Sequence, residues 1–278
     1  MVIVKKLLLA FVVAVLAGCA NGPKVDKSIS AVAQDSRVRY LIIHYTAQDS
    51  ATSLKTLTQQ QVSAHYLQDD QGPEYKTWAL VDESRRAYQA GVSSWKLDAG
   101  LNAASIGIEI VNLGYTDTPQ GRVYYPFPQG QIDKLIALVK DIVKRHDIAP
   151  ERVLGHSDIA PQRKPDPGPL FPWKQLADAG LVLWPDAREA ARRQPAFEAN
   201  LPDVAWFQTK LGHFGYAVPH TGPLDDATRN VIGAFQMKYR NTKFDGVPDA
   251  QTAALLDVLT SPAPKVPAMT TVVPVQTK

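Results

Sequence analysis

The sequence of 278 residues contains a single cysteine, Cys19. One thiol cannot form a disulfide within the chain, so the fold cannot depend on internal disulfide bonds. The apolar run from Leu7 to Leu16 is too short to cross a bilayer as a helix. With 45% hydrophobic and 21% charged residues, the composition argues against a disordered or multi-spanning membrane protein and is typical of a folded, soluble one.

A strong net charge is absent as well. The formal charge is +3, and it falls to +1 if the first 18 residues, which contain Lys5 and Lys6 but no acid, are removed. Nucleic-acid binding draws its affinity from clustered Lys and Arg side chains that face phosphates. The near-neutral mature chain therefore gives no case for a nucleic-acid partner. We also expect the chain to act as a monomer.

The amino terminus has the pattern of an export signal. Lys5 and Lys6 precede the apolar run, whose length is that of the hydrophobic region of a signal peptide. The run ends in Leu16-Ala17-Gly18-Cys19, which resembles the bacterial lipobox, where the cysteine is diacylated and becomes the first mature residue. The alternative is an ordinary small-residue cleavage site beside a chance cysteine. Lipidation has the advantage that it explains the lone thiol.

Acylation of Cys19 predicts a permanent membrane anchor. Each buried methylene contributes roughly 0.8 kcal/mol, so three acyl chains would make attachment effectively irreversible. Residue 20 is Ala rather than Asp, which resembles the sorting rule for outer-membrane lipoproteins of Gram-negative bacteria. We therefore expect outer-membrane lipid to be a partner of the acylated Cys19, with the protein facing the periplasm.

The length predicts one medium domain and one small domain, at roughly 100–200 residues per domain. The tail after residue 260 contains four prolines and is expected to be disordered. We predict a lipoprotein signal peptide over 1–18, a lipidated tether over 19–35, a catalytic α/β domain over 36–185, a connector over 186–200, a small all-α domain over 201–260 and a disordered tail over 261–278.

Hydrophobic periodicity predicts the elements of the α/β domain. The segments Val38–Tyr45 and Ile106–Val111 are rich in β-branched and aromatic residues, which is typical of buried strands. Gln131–His146 has apolar residues at a helical period, and Arg152–Leu154 is typical of a short strand. Pro161–Pro172 contains five prolines and must be an irregular loop. The alternation predicts a mixed central sheet flanked by helices.

The small domain contains an internal repeat. The segments Gly222–Thr228 and Gly246–Thr252 share the pattern G-x-x-D-x-x-T. Each places a turn glycine before an aspartate that can cap the following helix, predicted over Ala227–Tyr239 and Ala250–Leu259. The sequence therefore predicts two copies of a helical hairpin unit.

Two histidines and an acid have the chemistry of a catalytic metal site. Zinc in such a site takes three protein ligands and leaves one position open for water. His44 ends a predicted strand, where alone it would more often be a hydrogen-bonded structural histidine, and His156 shares a loop with Asp158 and Asp166. Prolines flank Asp166 and restrict its backbone, whereas Asp158 could be a turn residue or could hold an imidazole. Spacing alone does not choose between the two acids.

Four segments together resemble one enzyme family, the zinc-dependent N-acetylmuramoyl-L-alanine amidases of type 2, which include the peptidoglycan recognition proteins. The segments are Ile43–Thr46, Val62–Leu67, Ser105–Ile110, and Gly155–Gly168 with its continuation to Phe171-Pro172-Trp173. The C-terminal unit resembles the small helical peptidoglycan-binding domain. With the lipobox in front, the resemblance covers nearly the whole mature chain.

The resemblance implies hydrolysis of the amide between N-acetylmuramic acid, ordinary or 1,6-anhydro, and L-alanine in peptidoglycan or muropeptides. It implies that Zn²⁺ is held by His44, His156 and Asp166, so that Asp158 moves to a supporting position. It further implies catalytic roles for Glu109 and Lys164.

Glu109 also has a chemical argument of its own. It alternates with Ile108 and Ile110, so its side chain should face away from their apolar side and into a cleft. There it could accept the proton of the attacking water and later deliver it to the leaving amine. The alternative, an exposed strand acid, fits poorly with so apolar a segment. Lys164 could stabilise the developing oxyanion, although by itself it would be a solvated loop lysine.

Two other functions compete with the hydrolase. One is a non-catalytic peptidoglycan-binding protein, against which Glu109 and the complete ligand set argue. The other is a scaffold lipoprotein that tethers the outer membrane to the cell wall, and this role could coexist with catalysis. His65 and His146 need no metal: the first is expected to be structural, and the second suits the negative end of a helix dipole.

Overall fold

A computed structural model describes residues 25–261 of the chain. Over that range the backbone forms nine strands and eight α-helices. The strands are β1 (Tyr40–Tyr45), β2 (Tyr66–Gln68), β3 (Thr77–Ala79), β4 (Ser94–Trp95), β5 (Asp98–Ala99), β6 (Ser105–Ile110), β7 (Tyr115–Thr118), β8 (Gly121–Tyr124) and β9 (Val153–Gly155). The helices are α1 (Ser50–Gln59), α2 (Gln129–His146), α3 (His156–Ile159), α4 (Trp173–Asp178), α5 (Ala187–Ala199), α6 (Val204–Phe214), α7 (Asp226–Tyr239) and α8 (Ala250–Thr260).

A five-stranded sheet in the order β3-β2-β6-β1-β9 forms the centre of the α/β part. Strands β2, β6, β1 and β9 run parallel, and β3 pairs with β2 in the antiparallel direction at one edge. Parallel strands are covered on both faces and therefore read as continuous apolar runs, which is the pattern of Tyr40–Tyr45. The predicted mixed sheet with flanking helices is confirmed.

Helix α2 covers one face of the sheet. Its buried side chains Ile132, Leu135, Val139 and Ile142 follow a helical spacing and pack in one cluster with the isoleucines of β6. Each such side chain stabilises the fold by roughly 1.5–3 kcal/mol when it is fully buried. The helix begins two residues before the predicted start and ends at His146 as predicted.

The helical region covers the opposite face. Tyr40 and Ile42 of β1 and Leu154 of β9 belong to one buried hydrophobic cluster with Phe207 and Phe235 of the C-terminal helices. The described chain from Ser36 onward forms one compact unit. The small all-α part is therefore a second layer of the core and is not separated from the sheet by a linker.

The segment 186–200, predicted only as a connector, is largely helical. Helix α5 begins after Asp186, whose side chain accepts a hydrogen bond from the Glu189 amide at 2.8 Å. Arg193 of this helix forms ion pairs with Glu189 of its own turn and with Asp257 of α8, each with a contact of 2.7 to 2.8 Å. The segment thus packs as part of the helical layer.

The repeat in the helical layer is confirmed and is longer than its sequence pattern. Asp225 and Asp249 cap α7 and α8 by accepting from the amides of Thr228 and Thr252 at 2.7 and 2.8 Å. A glutamine of the preceding helix completes each copy. Gln208 accepts from Gly222 N, and Gln236 accepts from Gly246 N, both at 2.9 Å. Each glutamine also donates to the repeat threonine, as follows: Gln208 to Thr228 at 2.8 Å and Gln236 to Thr252 at 3.1 Å.

The two ends of the chain fall partly or wholly outside the described residues. These include the predicted signal peptide over 1–18, Cys19 and the start of the tether, and the predicted tail after residue 261. Residues 25–35 lack regular helix or strand and are largely exposed. Across 25–261, no helix combines the length and the hydropathy that a membrane crossing requires.

Candidate functional site

The candidate site lies where three parallel strands end. His44 of β1 and Glu109 of β6 are direct neighbours in the strand register, so their side chains point to the same side of the sheet. His156 follows β9 immediately and is the first residue of α3. The carboxyl ends of parallel strands meet at one edge of a sheet, which is the usual place for a ligand in such folds.

His44, His156 and Asp166 converge there in a tight, buried cluster. The Nδ1 atoms of the two histidines are 3.0 Å apart, and Asp166 Oδ2 lies 3.0 Å from His44 Nδ1 and 3.1 Å from His156 Nδ1. The three residues are at most 5% exposed. Over 25–261 this is the group of histidine and acidic side chains whose spacing suits a metal ion.

The loop that carries Asp166 is fixed against α3. Ser157 N donates to the Asp166 carbonyl at 2.8 Å, and Gly168 N donates to Pro165 O at 2.9 Å. Gly155, just before His156, faces Pro167 so closely that a Cβ would stand 2.7 Å from its Cδ. A larger residue at 155 would therefore displace the loop. The carboxylate is held in place by backbone bonds as well as by its flanking prolines.

Hydrogen bonds on the far side of each ring orient the imidazoles. His44 Nε2–H donates to Gln89 Oε1 at 2.6 Å, and His156 Nε2–H donates to the Ala90 carbonyl at 3.2 Å. With the proton on Nε2, each ring turns the lone pair of Nδ1 toward Asp166. This is the arrangement in which histidine ligands are held by outer partners.

Gln89 reaches His44 because residue 107 is a glycine. A Cβ on Gly107 would stand 2.5 Å from Gln89 Cγ, so a side chain there would push the glutamine away from the sheet. Gln89 Nε2 donates to Ser105 Oγ at 2.7 Å, and the backbone N–H of Gln89 donates to Asn102 Oδ1 at 3.0 Å. Neither Gln89 nor Ala90 was predicted from the sequence, since they lie far from both histidines along the chain.

The charged groups in the cluster shift one another's pKa values. Burial lowers the pKa of His44, but Glu109 and Asp166 outweigh it and leave the pKa raised. Burial and the neighbouring His44 lower the pKa of His156. Burial opposes ionisation of Asp166, yet the two histidines hold its pKa well below the usual range. The carboxylate is therefore ionised at neutral pH and ready to bind a cation.

Glu109 lines the pocket beside this cluster. Its Oε2 atom is buried and has no hydrogen-bond partner among residues 25–261. Burial raises the pKa of Glu109 to about 7, and the nearby Asp166 acts in the same direction, while His44 and Lys164 oppose it. A carboxyl group with a free oxygen and a pKa near neutrality is suited to proton transfer. A cation held by the cluster would lower that pKa.

The pocket around these groups has a volume of about 190 Å³. Glu109, His156, Lys164 and Asp166 line it, as does the exposed Tyr88. Lys164 is exposed and electrostatically close to Glu109. The structure thus brings together all five residues singled out for metal binding and catalysis.

Asp158 lies outside the cluster and holds no imidazole. Its Oδ2 accepts from Gly155 N at 2.8 Å and from Lys238 Nζ at 2.7 Å, and its Oδ1 accepts from the Tyr216 hydroxyl at 2.6 Å. Of the two supporting roles that the sequence left open for Asp158, the imidazole partner is wrong, because Gln89 and Ala90 fill that role. Asp158 instead joins the turn before α3 to the helical layer.

The remaining histidines of the α/β part are structural, as expected. His65 Nδ1 accepts from Gly107 N at 3.1 Å, and its Nε2–H donates to Arg85 O at 3.2 Å. His146 ends α2, and its Nε2 lies 2.8 Å from Glu83 Oε2. Neither histidine contacts the cluster.

Two family models match the chain. Residues 34–169 match the model described as N-acetylmuramoyl-L-alanine amidase, and residues 200–256 match a peptidoglycan binding domain model. The first range contains the whole cluster together with Glu109 and Lys164, and the second covers most of the helical layer.

Two known relatives match over most of their length. N-acetylmuramoyl-L-alanine amidase AmiD of Escherichia coli is 43% identical over an alignment of 258 residues that covers 88% of this chain and 93% of AmiD. The structure of AmiD with anhydro-N-acetylmuramic acid-L-Ala-D-γ-Glu-L-Lys superposes with a TM-score of 0.78 at 42% identity, over 86% of this chain and 94% of that one. AmpDh3 of Pseudomonas aeruginosa with an anhydromuramic pentapeptide gives a TM-score of 0.77 at 39% identity, over 86% and 97%.

Proposed function

The chain belongs to the N-acetylmuramoyl-L-alanine amidase family, and we propose that it cleaves its substrate with Zn²⁺ held by His44, His156 and Asp166. The bond is the amide between the lactyl group of N-acetylmuramic acid and L-alanine. Peptidoglycan and muropeptides with ordinary or 1,6-anhydro sugar ends are the substrates. The observation that carries the proposal is the buried cluster of two Nδ1 atoms and one carboxylate oxygen beside Glu109.

The cluster fits a tetrahedral zinc site. Ligand atoms about 2.0–2.1 Å from zinc lie about 3.3 Å apart in ideal tetrahedral geometry. The three atoms here are 3.0–3.1 Å apart, so a small outward shift accommodates the ion. Two neutral imidazoles and one carboxylate are a common donor set of catalytic zinc, and leave the fourth position free. Zinc bound there supplies Lewis acidity and lowers the pKa of a bound water toward about 7.

Glu109 is the proposed general base and acid. Its unpartnered Oε2 can take the proton of the water that attacks the lactyl carbonyl. The same carboxyl group then delivers that proton to the nitrogen of L-alanine as the amide bond breaks. The base needs no large movement, because its strand is fixed on both sides by β1 and β2.

Lys164 is proposed to stabilise the oxyanion that forms on the carbonyl. Its ammonium lies on the loop that carries Asp166 and lines the same pocket as Glu109. Positive charge near developing negative charge lowers the barrier most in a partly enclosed site. In this proposal Glu109 transfers the proton and Lys164 stabilises the negative charge.

A purely binding role explains the site less well. Such a protein would not need a buried carboxyl group with a free oxygen beside a complete set of metal donors, because burying that group is costly. A scaffold function at the cell wall would use other surfaces and is compatible with catalysis.

Product analysis tests the activity and the substrate range. Zinc-loaded protein should release the free stem peptide from muropeptides with either sugar end, and in H₂¹⁸O the label should enter the muramic acid carboxyl group. Mass spectrometry detects both products and label. His156→Ala should lose zinc and activity together. Label in a sugar hydroxyl, or intact muropeptide after prolonged incubation, would contradict the proposal.

We propose further that the mature protein is anchored to the outer membrane by acylated Cys19 and faces the periplasm. The support is the sequence: a charged and apolar export signal leads to Leu16-Ala17-Gly18-Cys19, and Ala20 follows. Acyl chains make such attachment effectively permanent.

Fractionation of cells tests the anchor. Wild-type protein should be found in outer-membrane fractions, and Cys19→Ala should be absent from them. Ala20→Asp, a matched change that keeps the cysteine, should move the protein to the inner membrane. Outer-membrane residence of the Cys19→Ala variant would contradict the assignment.

A further inference from the structure

A second groove lies next to the pocket, between the α/β part and the helical layer. Its volume is about 480 Å³. One side is formed by β7, β8 and the loop 161–165, and the other by α7 and residues 244–246; we call this the interlayer groove. Lys164 lines both the pocket and the interlayer groove, so the two are adjoining spaces.

The interlayer groove has an excess of positive charge. Four cationic side chains line it, and one acid, Asp245, does so. Asp245 is paired with Lys243 at 3.4 Å. The cations are Arg122, Arg163, Lys164 and Arg229.

Three of these cations have no acidic partner among residues 25–261, and one of the three, Arg163, is engaged by backbone carbonyls. Arg122 is paired with Asp117 at 3.2 Å, and Arg163 donates to the backbone carbonyl of Val92 at 2.8 Å. Among the ion pairs of residues 25–261, neither Lys164 nor Arg229 takes part in one. Their charges are available to an anionic ligand.

The walls of the interlayer groove are held in place. Gln162 of the loop donates to the Ala227 carbonyl at 3.0 Å and accepts from Asn230 at 3.0 Å. Gly246 has a φ of +71°, and a Cβ there would stand 2.3 Å from the Arg229 carbonyl oxygen. The repeat glycine therefore lets this turn pack directly on α7, next to Arg229. A preformed site loses little entropy when a ligand binds.

The aromatic rings in the interlayer groove are already engaged. The Arg122 guanidinium lies over the Tyr115 ring at 4.3 Å from its centroid. Tyr124 packs between Tyr115 and Phe244, with ring centroids 5.6 and 6.0 Å away. A sugar that stacks on an aromatic ring needs a free face, so these contacts favour an anionic ligand over a glycan.

We propose that the interlayer groove binds the carboxylate-bearing part of the stem peptide, with Arg229 as a specificity residue. This inference rests on the proposed function, which places the amide of L-alanine in the pocket. A γ-linked glutamate leaves its α-carboxylate free, and the last residue of the stem carries another. Three extended residues span about 10 Å, which suits a ligand that continues from the pocket into the neighbouring groove.

Kinetics with two substrates test the role of Arg229. The long substrate is anhydro-N-acetylmuramic acid-L-Ala-γ-D-Glu-L-Lys, and the short one ends at L-Ala amide. Arg229→Gln should raise the KM of the long substrate about tenfold and leave kcat unchanged, because it removes a charge-assisted contact distant from the reacting bond. The ratio of the two KM values should change by the same factor. Lys140→Gln, which removes an exposed charge of α2, is the matched control.

Salt and direct binding complete the test. Raising the ionic strength should weaken binding of the long substrate by wild type more than by Arg229→Gln. Calorimetry with free L-Ala-γ-D-Glu-L-Lys and the zinc-loaded Glu109→Gln variant should show binding that Arg229→Gln weakens. Equal KM changes for both substrates, or sensitivity to glycan length instead of stem length, would overturn the proposal. If wild type cleaved neither substrate, the proposed function would fail. The calorimetry would still show whether the interlayer groove binds the peptide.

Discussion

At the scale of single residues, Gln89 links the sheet to the cluster of His44, His156 and Asp166. It accepts the Nε2 proton of His44 at 2.6 Å and is itself held by Ser105. The bond fixes both the tautomer and the orientation of the ring, so that Nδ1 faces Asp166 and the proposed zinc position. Removing an outer hydrogen bond of this kind should therefore lower the affinity of the site for zinc.

Gln89→Ala should weaken zinc binding about 10–100-fold, which is the usual loss when an outer hydrogen bond to a ligand is removed. Competition with a chromophoric chelator measures the affinity. Gln89→Glu keeps an oxygen acceptor and should retain most of it. If Gln89→Ala bound zinc as tightly as wild type, the orienting role would be wrong.

The residues of the cluster could be predicted from the sequence only in part. His44 and His156 follow apolar strands, and the prolines around Asp166 mark a restrained loop, so residue types and positions pointed to them. Gln89 lies 45 residues from His44, has no local pattern and meets it only because Gly107 leaves room. The chemistry of the two acids left Asp158 and Asp166 equal, because the partners of Asp158 lie 58 and 80 residues away in another layer.

At the scale of secondary-structure elements, the contact between α3 and α7 is a buried ion pair. Lys238 Nζ lies 2.7 Å from Asp158 Oδ2, and the side chains are 4% and 1% exposed. The ammonium also lies 4.2 Å from the centroid of the Trp173 ring. Removing one partner of such a pair leaves an uncompensated buried charge, which is more costly than replacing both partners.

Lys238→Met should therefore lower the free energy of unfolding by about 3–5 kcal/mol. Urea denaturation of the zinc-loaded protein measures the change. Lys243→Met removes an exposed lysine from a nearby turn and should change it by less than about 0.5 kcal/mol. Adding Asp158→Asn to Lys238→Met should recover part of the loss. Equal effects of the two lysine variants would contradict the account of the buried pair.

The strong elements were predictable because their patterns are local. The apolar strands β1 and β6 and the amphipathic helix α2 each contain their periodicity within the element itself. The contacts between these elements, in contrast, join residues that are far apart in the sequence. The repeat in α7 and α8 was visible as G-x-x-D-x-x-T, but Gln208 and Gln236, which complete it, precede the pattern by a turn of variable length.

At the scale of the whole molecule, the helical layer shares the core of the sheet. Phe207 and Phe235 lie in the same buried cluster as Tyr40 and Ile42. The predicted boundary at residues 186–200 is occupied by helix α5, which pairs with α8. Sequence patterns suggested a connector because the segment is rich in Ala and Arg, a composition that is equally good for a helix.

Heating the zinc-loaded protein should give one cooperative transition, because a shared core couples the two layers. Scanning calorimetry followed by far-ultraviolet circular dichroism checks this. Zinc binds only the folded site, so excess zinc should raise the midpoint of the whole transition. A separate helical transition whose midpoint does not respond to zinc would show that the layers unfold independently.

The central claim is that Glu109 moves the proton in a zinc amidase, and the hydrolysis rate of zinc-loaded Glu109→Gln measures it most directly. The account predicts about one zinc per chain in both proteins and a loss of about 10²–10⁴-fold in kcat for the variant. Since the base must be deprotonated, kcat/KM of wild type should fall as the pH drops through the pKa of Glu109, which lies at or below about 7, and this limb should vanish in the variant. Hydrolysis by zinc-loaded Glu109→Gln at the wild-type rate would contradict the account.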